Sequence, residues 1–237
     1  MRAPTRLRVA ELFDSLQGEG ALTGTPSAFV RLSGCNLRCR WCDTPYASWA
    51  PEGEAMTVEE VVQAVRLLGR ALRHVVLTGG EPTLPPAAPA LVAALRALGY
   101  YVTVETAGTF WRDLQPDLWS ISPKLSNSTP DDEPWRARHE ARRWRPDVVR
   151  RMMGGEGPAD SPYQLKFVVT SPADLPEIDA AVAALGAAPD RVFLMPEGRT
   201  VARLDALARW LVPACLERGY RYGDRLQVRL FGDTRGT

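Results

Sequence analysis

Short apolar runs alternate along the chain with segments whose apolar residues recur at helical spacing. The runs are short and rich in β-branched and aromatic residues, which is typical of buried strands. They predict strands at residues 7–13, 28–32, 74–78, 101–105, 119–122, 165–169 and 191–195. A last run, at residues 226–230, is expected to close the sheet as a further strand.

The segments between these runs carry apolar stripes at spacings of three and four. The sequence Thr-Val-Glu-Glu from Thr57 has the form of a capping box, and Val61, Val65 and Leu68 then fall on one helical face. Further stripes comprise Leu91, Leu95 and Leu98 before Gly99, and Leu175, Ile178, Val182 and Leu185. A long helix is predicted over residues 201–218, before Gly219.

Strands that alternate with helices of this length favour βα units and a parallel sheet. The units are too few for a closed eight-fold barrel, so we expect an α/β fold of the incomplete, TIM-like barrel type. A single domain over residues 1–237 is expected. In such a fold the functional site lies beyond the C-terminal ends of the strands.

One segment, residues 126–162, interrupts the alternation. It carries Pro130, Pro134 and Pro146, a glycine group at Gly154, Gly155 and Gly157, and seven arginines, which are Arg136, Arg138, Arg142, Arg143, Arg145, Arg150 and Arg151. We interpret this arginine-rich excursion as a solvated surface helix or a mobile segment. The alternatives are a dimer contact or a docking surface for an acidic electron carrier.

Composition narrows the class of protein only modestly. The 237 residues have a formal net charge of +1, which gives no global basic signature of nucleic-acid binding. There is no apolar stretch long enough to span a membrane and no signal-like N-terminal region, so we expect a cytoplasmic protein.

Three of the four cysteines, Cys35, Cys39 and Cys42, lie within eight positions at C-x3-C-x2-C spacing. This spacing is unlike a disulfide framework and typical of metal ligands. Three thiolates so close together can bind three irons of a cubane and leave the fourth iron open to a substrate or cofactor.

The cysteines allow two other interpretations. A structural zinc site needs a fourth ligand, and the chain has only two histidines, His74 and His139. Cys215 continues the apolar stripe of Leu204 and Leu211, so it is most simply a core residue. Three incidental cysteines are disfavoured by the tight spacing.

A second motif follows the predicted strand at residues 74–78 and reads Gly79-Gly80-Glu81-Pro82. Glycines at the end of a strand let a ligand approach the backbone closely. A carboxylate at that position can bind an ammonium group.

Together the cysteine loop and this turn resemble the radical S-adenosylmethionine (SAM) enzymes. The flanking sequences narrow the resemblance: Glu11 to Gly20 (ELFDSLQGEG), Phe29 to Asn36 (FVRLSGCN) and Asp43-Thr44 after the last cysteine of the loop. They closely resemble the 7-carboxy-7-deazaguanine synthases of queuosine biosynthesis, over nearly the whole chain except the excursion.

The resemblance implies a carbon–nitrogen lyase that contracts the ring of 6-carboxy-5,6,7,8-tetrahydropterin to 7-carboxy-7-deazaguanine with loss of ammonia. It implies a 4Fe–4S cluster on the catalytic cysteines Cys35, Cys39 and Cys42, SAM as a cofactor that is re-formed, and Mg²⁺ at Thr44. Implied partners are the pterin, an electron donor such as flavodoxin or ferredoxin, and a second copy in a homodimer. No membrane or direct nucleic-acid partner is expected.

The resemblance also assigns residues to both small molecules. Substrate contacts are expected at Leu16, Gln17, Gly18, Arg31, Thr78 and Thr237. SAM contacts are expected at Trp41, Gly80, Glu81, Glu105, Thr106, Ser122, Pro123, Lys124, Met195, Pro196, Glu197 and Gly198. From chemistry alone, the guanidinium of Arg31 suits a carboxylate, and the amide of Gln17 suits a pterin edge.

Two rival hypotheses remain, one for another enzyme and one for a protein of another class. A glycyl-radical-enzyme activase has the same cysteine spacing but acts on a protein, whereas Gln17, Arg31 and Thr44 suit a small anionic substrate. A zinc-stabilised module could instead contact RNA through the arginine-rich excursion.

Overall fold

A computed structural model of the chain describes residues 6–69, 71–154 and 162–237. The strands are β1 (Leu7–Leu16), β2 (Pro26–Leu32), β3 (Glu54–Met56), β4 (His74–Gly79), β5 (Tyr101–Thr106), β6 (Leu118–Ile121), β7 (Tyr163–Val169), β8 (Val192–Pro196) and β9 (Arg221–Tyr222). The helices are α1 (Pro45–Ser48), α2 (Val58–Leu68), α3 (Ala88–Ala97), α4 (Trp135–Arg143), α5 (Pro146–Met152), α6 (Leu175–Leu185), α7 (Val201–Arg218) and α8 (Leu226–Phe231).

Within the described residues the strands form one sheet in the order β3-β1-β2-β4-β5-β6-β7-β8-β9. β1 runs antiparallel to β2 and to β3, and each neighbouring pair from β2 to β9 is parallel. The predicted incomplete βα barrel is therefore confirmed. The parallel strands direct their C-terminal ends to one rim, where the predicted site residues follow.

The apolar runs correspond to strands because parallel strands are covered on both faces. In β4, every residue from His74 to Thr78 is buried. Leu77, Phe167 and Leu194 are fully buried in the main core, together with Leu91 and Leu95 of α3. Burying each such side chain contributes about 1.5–3 kcal/mol before entropy is counted.

The helix at Thr57 begins as predicted. The Thr57 hydroxyl accepts a hydrogen bond from Glu60 N, and the Glu60 carboxylate accepts one from Thr57 N at 2.7 Å. Val61 and Val65 are buried. In α3, however, the predicted inclusion of Leu98 in the stripe is wrong, because the helix ends at Ala97 and Leu98 is 52% exposed.

The predicted last strand at residues 226–230 is also wrong, since this segment forms α8. The edge position beside β8 is taken by β9, and Leu226 N instead donates to Gly18 O at 2.9 Å. Val228 is buried while Leu230 is 52% exposed, so the alternating apolar residues do not share one face as a strand requires.

The arginine-rich excursion packs against the rest of the protein more closely than a solvated helix would. Its described part contains α4 and α5, and α5 packs against α6. His139, Val148, Val149 and Met152 are buried, while most of the arginines point outward. The surface-helix prediction is thus right for the outer face and wrong for the inner one. Gly155 and Gly157 lie outside the described residues.

None of the described helices has the length and apolarity needed to cross a membrane.

Candidate active site

The C-terminal ends of the parallel strands surround a cavity of about 450 Å³. Each parallel strand from β2 to β8 contributes to its wall, through Arg31, Thr78, Thr106, Ser120, Val168 and Met195. Parallel strands place their C-terminal ends on the same side of the sheet, so residues far apart in sequence meet here.

The cysteine loop follows β2 and forms one wall of this cavity. Cys35, Cys39 and Cys42 all line it. Burial raises the pKa of both the Cys35 and the Cys39 thiol to about 12. Metal binding must therefore displace the thiol protons, and the chemistry of three cysteines that line one cavity fits an iron–sulfur cluster.

A single-ion zinc site is not supported by the side-chain positions. Among residues 6–69, 71–154 and 162–237, no three His, Cys, Asp or Glu side chains converge closely enough to hold one ion. Cys215 is buried in the main core on α7, whereas Cys39 belongs to a separate small cluster with Leu37 and Ala107. The prediction that Cys215 is a core residue is confirmed.

The two glycines at the end of β4, Gly79 and Gly80, allow two segments of the backbone to lie directly against each other. A Cβ on Gly79 would overlap the Leu32 carbonyl, and one on Gly80 would overlap the Gly34 carbonyl. Gly80 N donates to Leu32 O at 2.9 Å, and Glu81 N donates to Gly34 O at 2.8 Å. The turn is thereby fixed against the segment that leads into Cys35.

The carboxylate of Glu81 is turned away from the cavity and is fully buried. Its Oε1 accepts hydrogen bonds from the Thr106 hydroxyl at 2.6 Å and from the Thr83 hydroxyl at 2.8 Å, and its Oε2 accepts one from Ala107 N at 2.9 Å. Burial raises its pKa. Glu81 therefore joins the turn after β4 to the turn after β5, and its oxygens are engaged by protein donors.

Most of the other residues predicted to contact SAM do line the cavity. These are Trp41, Gly80, Glu105, Thr106, Ser122, Lys124, Met195 and Glu197. Pro123, Pro196 and Gly198 fall behind the lining, as Glu81 does. The Lys124 ammonium lies 5.5 Å from the centre of the Trp41 ring, a cation–π contact that holds both side chains at the rim.

All residues predicted to contact the substrate line the same cavity, namely Leu16, Gln17, Gly18, Arg31, Thr78 and Thr237. The Gln17 amide is oriented by two bonds: Nε2 donates to Glu105 Oε1 at 3.2 Å, and Oε1 accepts from Glu19 N at 3.1 Å. Thr44, the predicted Mg²⁺ residue, lines the cavity at the start of α1.

Glu11 holds Arg31 and the end of the chain together. It accepts from Arg31 Nε at 2.6 Å, from the Tyr46 hydroxyl at 2.7 Å and from Arg235 Nε at 2.8 Å. Burial opposes its ionisation, but these three partners together lower its pKa. Arg235 also lies over the Tyr46 ring at 3.9 Å, so residues 232–237 cross the cavity wall beside Arg31.

A network of charged side chains also lines the cavity. Lys166 Nζ lies 3.0 Å from Glu19 Oε2 and 3.3 Å from Glu105 Oε1. Arg225 Nε lies 3.1 Å from Glu19 Oε1, and Arg225 Nη2 lies 2.5 Å from Asp43 Oδ2. Burial disfavours the charged forms of Lys166 and Glu19, yet the pairing raises the pKa of Lys166 and lowers that of Glu19.

Comparisons with known proteins show the family of the chain. Residues 29–124 match the family model for the radical SAM superfamily. The chain is 50% identical over 233 residues to the 7-carboxy-7-deazaguanine synthase of Rhodopirellula baltica. This alignment covers 98% of this chain and 89% of the relative. It is 49% identical to that of Halobacterium salinarum, over 96% of this chain and 91% of the relative.

The chain belongs to the 7-carboxy-7-deazaguanine synthase family. The recognition made from the motifs is thus confirmed, and the superfamily implies a 4Fe–4S cluster and SAM. Among solved structures, the fold is similar to QueE from Escherichia coli, with a TM-score of 0.70 at 24% identity over 93% of this chain and 94% of that one. SuiB from Streptococcus suis has a more distant likeness, with a TM-score of 0.54 at 14% identity over 83% of this chain and 50% of that one.

Two members of the charge network in this synthase-family chain were missed from the sequence. Lys166 interrupts the apolar run of β7, and a lysine in a buried strand needs acidic partners. That signal was present but unused. Arg225 had no local signal, because its partners Glu19 and Asp43 lie far away in sequence and meet it only through the fold.

Replacing Glu81 with glutamine tests the joint between the two turns. The variant Glu81→Gln presents an amide NH₂ either to Ala107 N–H or to the Thr83 and Thr106 donors. One buried donor then loses its acceptor, and the free energy of unfolding should fall by about 1–3 kcal/mol. Chemical denaturation measures this, with Glu59→Gln on the exposed face of α2 as the control. Equal stability of Glu81→Gln and the native protein would show that the joint contributes nothing.

Proposed function

We propose that this protein is a 7-carboxy-7-deazaguanine synthase, which converts 6-carboxy-5,6,7,8-tetrahydropterin to 7-carboxy-7-deazaguanine with loss of ammonia. The observation that carries the proposal is the shared cavity: the three thiols of the cysteine loop, Gln17 and Arg31 all face it. A cluster at the thiols would thus share one enclosure with a bound carboxylated pterin.

The cysteine residues are proposed to hold a 4Fe–4S cluster whose remaining iron binds SAM. When bound, these groups supply one-electron, hydrogen-abstracting chemistry, which makes the enzyme a radical carbon–nitrogen lyase. The residues proposed to bind SAM are those of the strand ends that line the cavity, with Gly80 nearest the cysteine loop and Trp41 at the rim. Glu81 supports this wall through Thr106 and Ala107.

For the substrate, we assign the carboxylate to Arg31 and a pterin edge to Gln17. Within the described residues, Glu11 engages Arg31 through Nε, and no hydrogen bond involves the terminal nitrogens of its guanidinium. Those nitrogens can donate to a carboxylate in a forked geometry. Glu105 and Glu19 hold the Gln17 amide in one orientation, so the edge that it presents to a ligand is defined before binding.

Mg²⁺ is proposed to bind at Thr44, beside the substrate carboxylate. The neighbouring Asp43 carboxylate is paired with Arg225, and this pairing lowers its pKa although burial opposes it. Thr44 Oγ1 lies 3.9 Å from Cys42 Sγ and lines the cavity, which leaves the hydroxyl as an oxygen ligand there. Mg²⁺ prefers oxygen ligands and keeps several positions for water or substrate.

The proposal includes partners that the family resemblance implies. The cluster needs an external one-electron donor of the flavodoxin or ferredoxin type, and the enzyme would act as a homodimer. A reducing cytoplasm would keep the thiols of the loop available for iron.

Anaerobic reconstitution tests the reaction itself. With iron, sulfide and a reductant, the protein should bind about four irons per chain. With SAM, Mg²⁺ and the carboxypterin, it should form the deazapurine with little net loss of SAM, as measured by chromatography.

Single alanine substitutions at Cys35, Cys39 or Cys42 should abolish turnover. Formation of 5′-deoxyadenosine alone would indicate a different substrate.

Cys215→Ala is the matched control for these cysteine variants. Cys215 is buried in the core away from the loop, so its substitution should lower the free energy of unfolding by about 1 kcal/mol and leave iron content and turnover unchanged. Loss of iron in Cys215→Ala would contradict the assignment of the ligands.

Thr44 can be tested through the dependence of turnover on Mg²⁺. Thr44→Val keeps the shape of the side chain but removes the hydroxyl, so activation by Mg²⁺ should be lost. Thr44→Ser retains the oxygen and should respond to Mg²⁺ as the native enzyme does. If Thr44→Val and the native enzyme have the same Mg²⁺ titration curve, the metal does not bind at this hydroxyl.

Arg31→Lys tests the carboxylate assignment. Lysine keeps the charge but lacks the planar fork, so KM for the carboxypterin should rise about tenfold or more. A tetrahydropterin that lacks the carboxyl group is the matched control ligand, and its affinity should be equal in the two proteins. A weaker affinity for both ligands would instead point to a general disturbance of the cavity.

A further inference from the structure

Helix α4 of the excursion sends one polar ring inward, toward the cysteine loop. His139 is 1% exposed. Its Nδ1 lies 3.2 Å from the backbone nitrogen of Arg38, and its Nε2 lies 2.9 Å from the hydroxyl of Ser128. Arg38 lies between Cys35 and Cys39 and directly precedes Cys39, so the ring contacts the backbone within the C-x3-C span.

The partners determine which ring nitrogen carries the proton. A backbone N–H can only donate, so Nδ1 must accept from Arg38 and must be unprotonated. Nε2 then carries the proton and donates to Ser128 Oγ, which in turn donates to Leu125 O at 2.6 Å. Burial supports this neutral form, since it lowers the pKa of His139 to about 4. Every polar atom in this chain of hydrogen bonds is satisfied.

The same segment of the chain holds the loop at three further points. Ser128 O accepts from Arg40 N at 2.9 Å, and Asn127 O accepts from the indole nitrogen of Trp41 at 3.1 Å. The Arg38 guanidinium lies 4.4 Å from the centre of the Trp135 ring at the start of α4. The β4 turn holds one side of the cysteine loop, and the excursion holds the other.

The hydrogen bond from Arg38 N–H to His139 affects which donors can reach the proposed cluster. Backbone N–H groups near an iron–sulfur cluster donate to its sulfurs, and such bonds influence its reduction potential. In this protein, Leu37 N points to Cys35 Sγ at 3.4 Å, whereas Arg38 N points to His139. Without the ring, the Arg38 N–H loses its acceptor, and the C-x3-C span is free to turn that donor toward the sulfurs.

We propose that His139 is a positioning residue of the cluster: its neutral ring fixes the backbone between Cys35 and Cys39 and keeps the Arg38 N–H directed away from the cluster. This inference deepens the proposed function and depends on the cluster that it assigns to the loop. It gives part of the arginine-rich excursion a role in the chemistry of the site.

Two polar substitutions separate positioning from simple packing. In His139→Asn, the side-chain oxygen falls near the position of Nδ1 and can still accept from Arg38 N. In His139→Gln, the longer amide reaches toward Ser128 and places no acceptor at that position. Arg136→Ala, at an exposed position of the same helix, controls for a change in α4.

The experiment uses the full chain, reconstituted anaerobically, and records the electron paramagnetic resonance spectrum and midpoint potential of the reduced cluster. His139→Gln should shift the potential upward and alter the spectrum, because an additional N–H can reach the cluster. His139→Asn and Arg136→Ala should match the native protein. Thermal unfolding before reconstitution shows whether each variant folds.

The outcomes are distinct. Native spectra and potentials in both His139 variants would overturn the proposal, as would equal changes in both, since these would indicate packing alone. If His139→Gln fails to fold, a changed potential in the folded His139→Asn still overturns it, and a native potential supports it. Failure of the native protein to form a cluster, or to make the deazapurine, would count against the proposed function and is seen in the unsubstituted protein.

Discussion

The backbone of the turn after β4 lies directly against the backbone that leads into the cysteine loop, and the site depends on this contact. No side chain fits between Gly80 and the Gly34 carbonyl. The paired hydrogen bonds from Gly80 N and Glu81 N to the Leu32 and Gly34 carbonyls fix the two segments. Glu81 then extends the constraint to the next strand through Thr106 and Ala107. This joint therefore fixes the segment that leads into Cys35 against the turns after β4 and β5.

Ion pairs hold together the other parts of the cavity wall. Lys166 and Arg225 are buried cations, and each is stabilised by carboxylates that come from distant parts of the chain. Because an unpaired buried charge is costly, separating either cation from these carboxylates is unfavourable. Arg225 thereby joins the segment that begins α8 to Glu19 and Asp43, while Arg235 joins the end of the chain to Glu11. Ion pairs thus hold both the charged residues of the cavity wall and the C-terminal segment.

The excursion shows how one helix can serve two environments. Its outer face carries arginines in water, as its composition predicted, whereas His139 on its inner face meets the cysteine loop. A lone histidine in an arginine-rich sequence has no periodicity that distinguishes it, so its role follows only from where α4 packs. The arginine-rich excursion is thus in direct contact with the cysteine loop.

The sequence by itself determined the strands β1, β2 and β4 to β8, the four longest described helices, the cysteine loop and most of the residues predicted to line the cavity. These features depend on local patterns: buried parallel strands appear as apolar runs, and metal ligands in one loop appear as close spacing. Only the tertiary structure decided that Glu81 faces the protein, that residues 226–230 form a helix, and that Lys166, Arg225 and His139 belong to the site. Each of these depends on a partner far away in the chain, because a buried polar group is satisfied by whatever the fold brings to it.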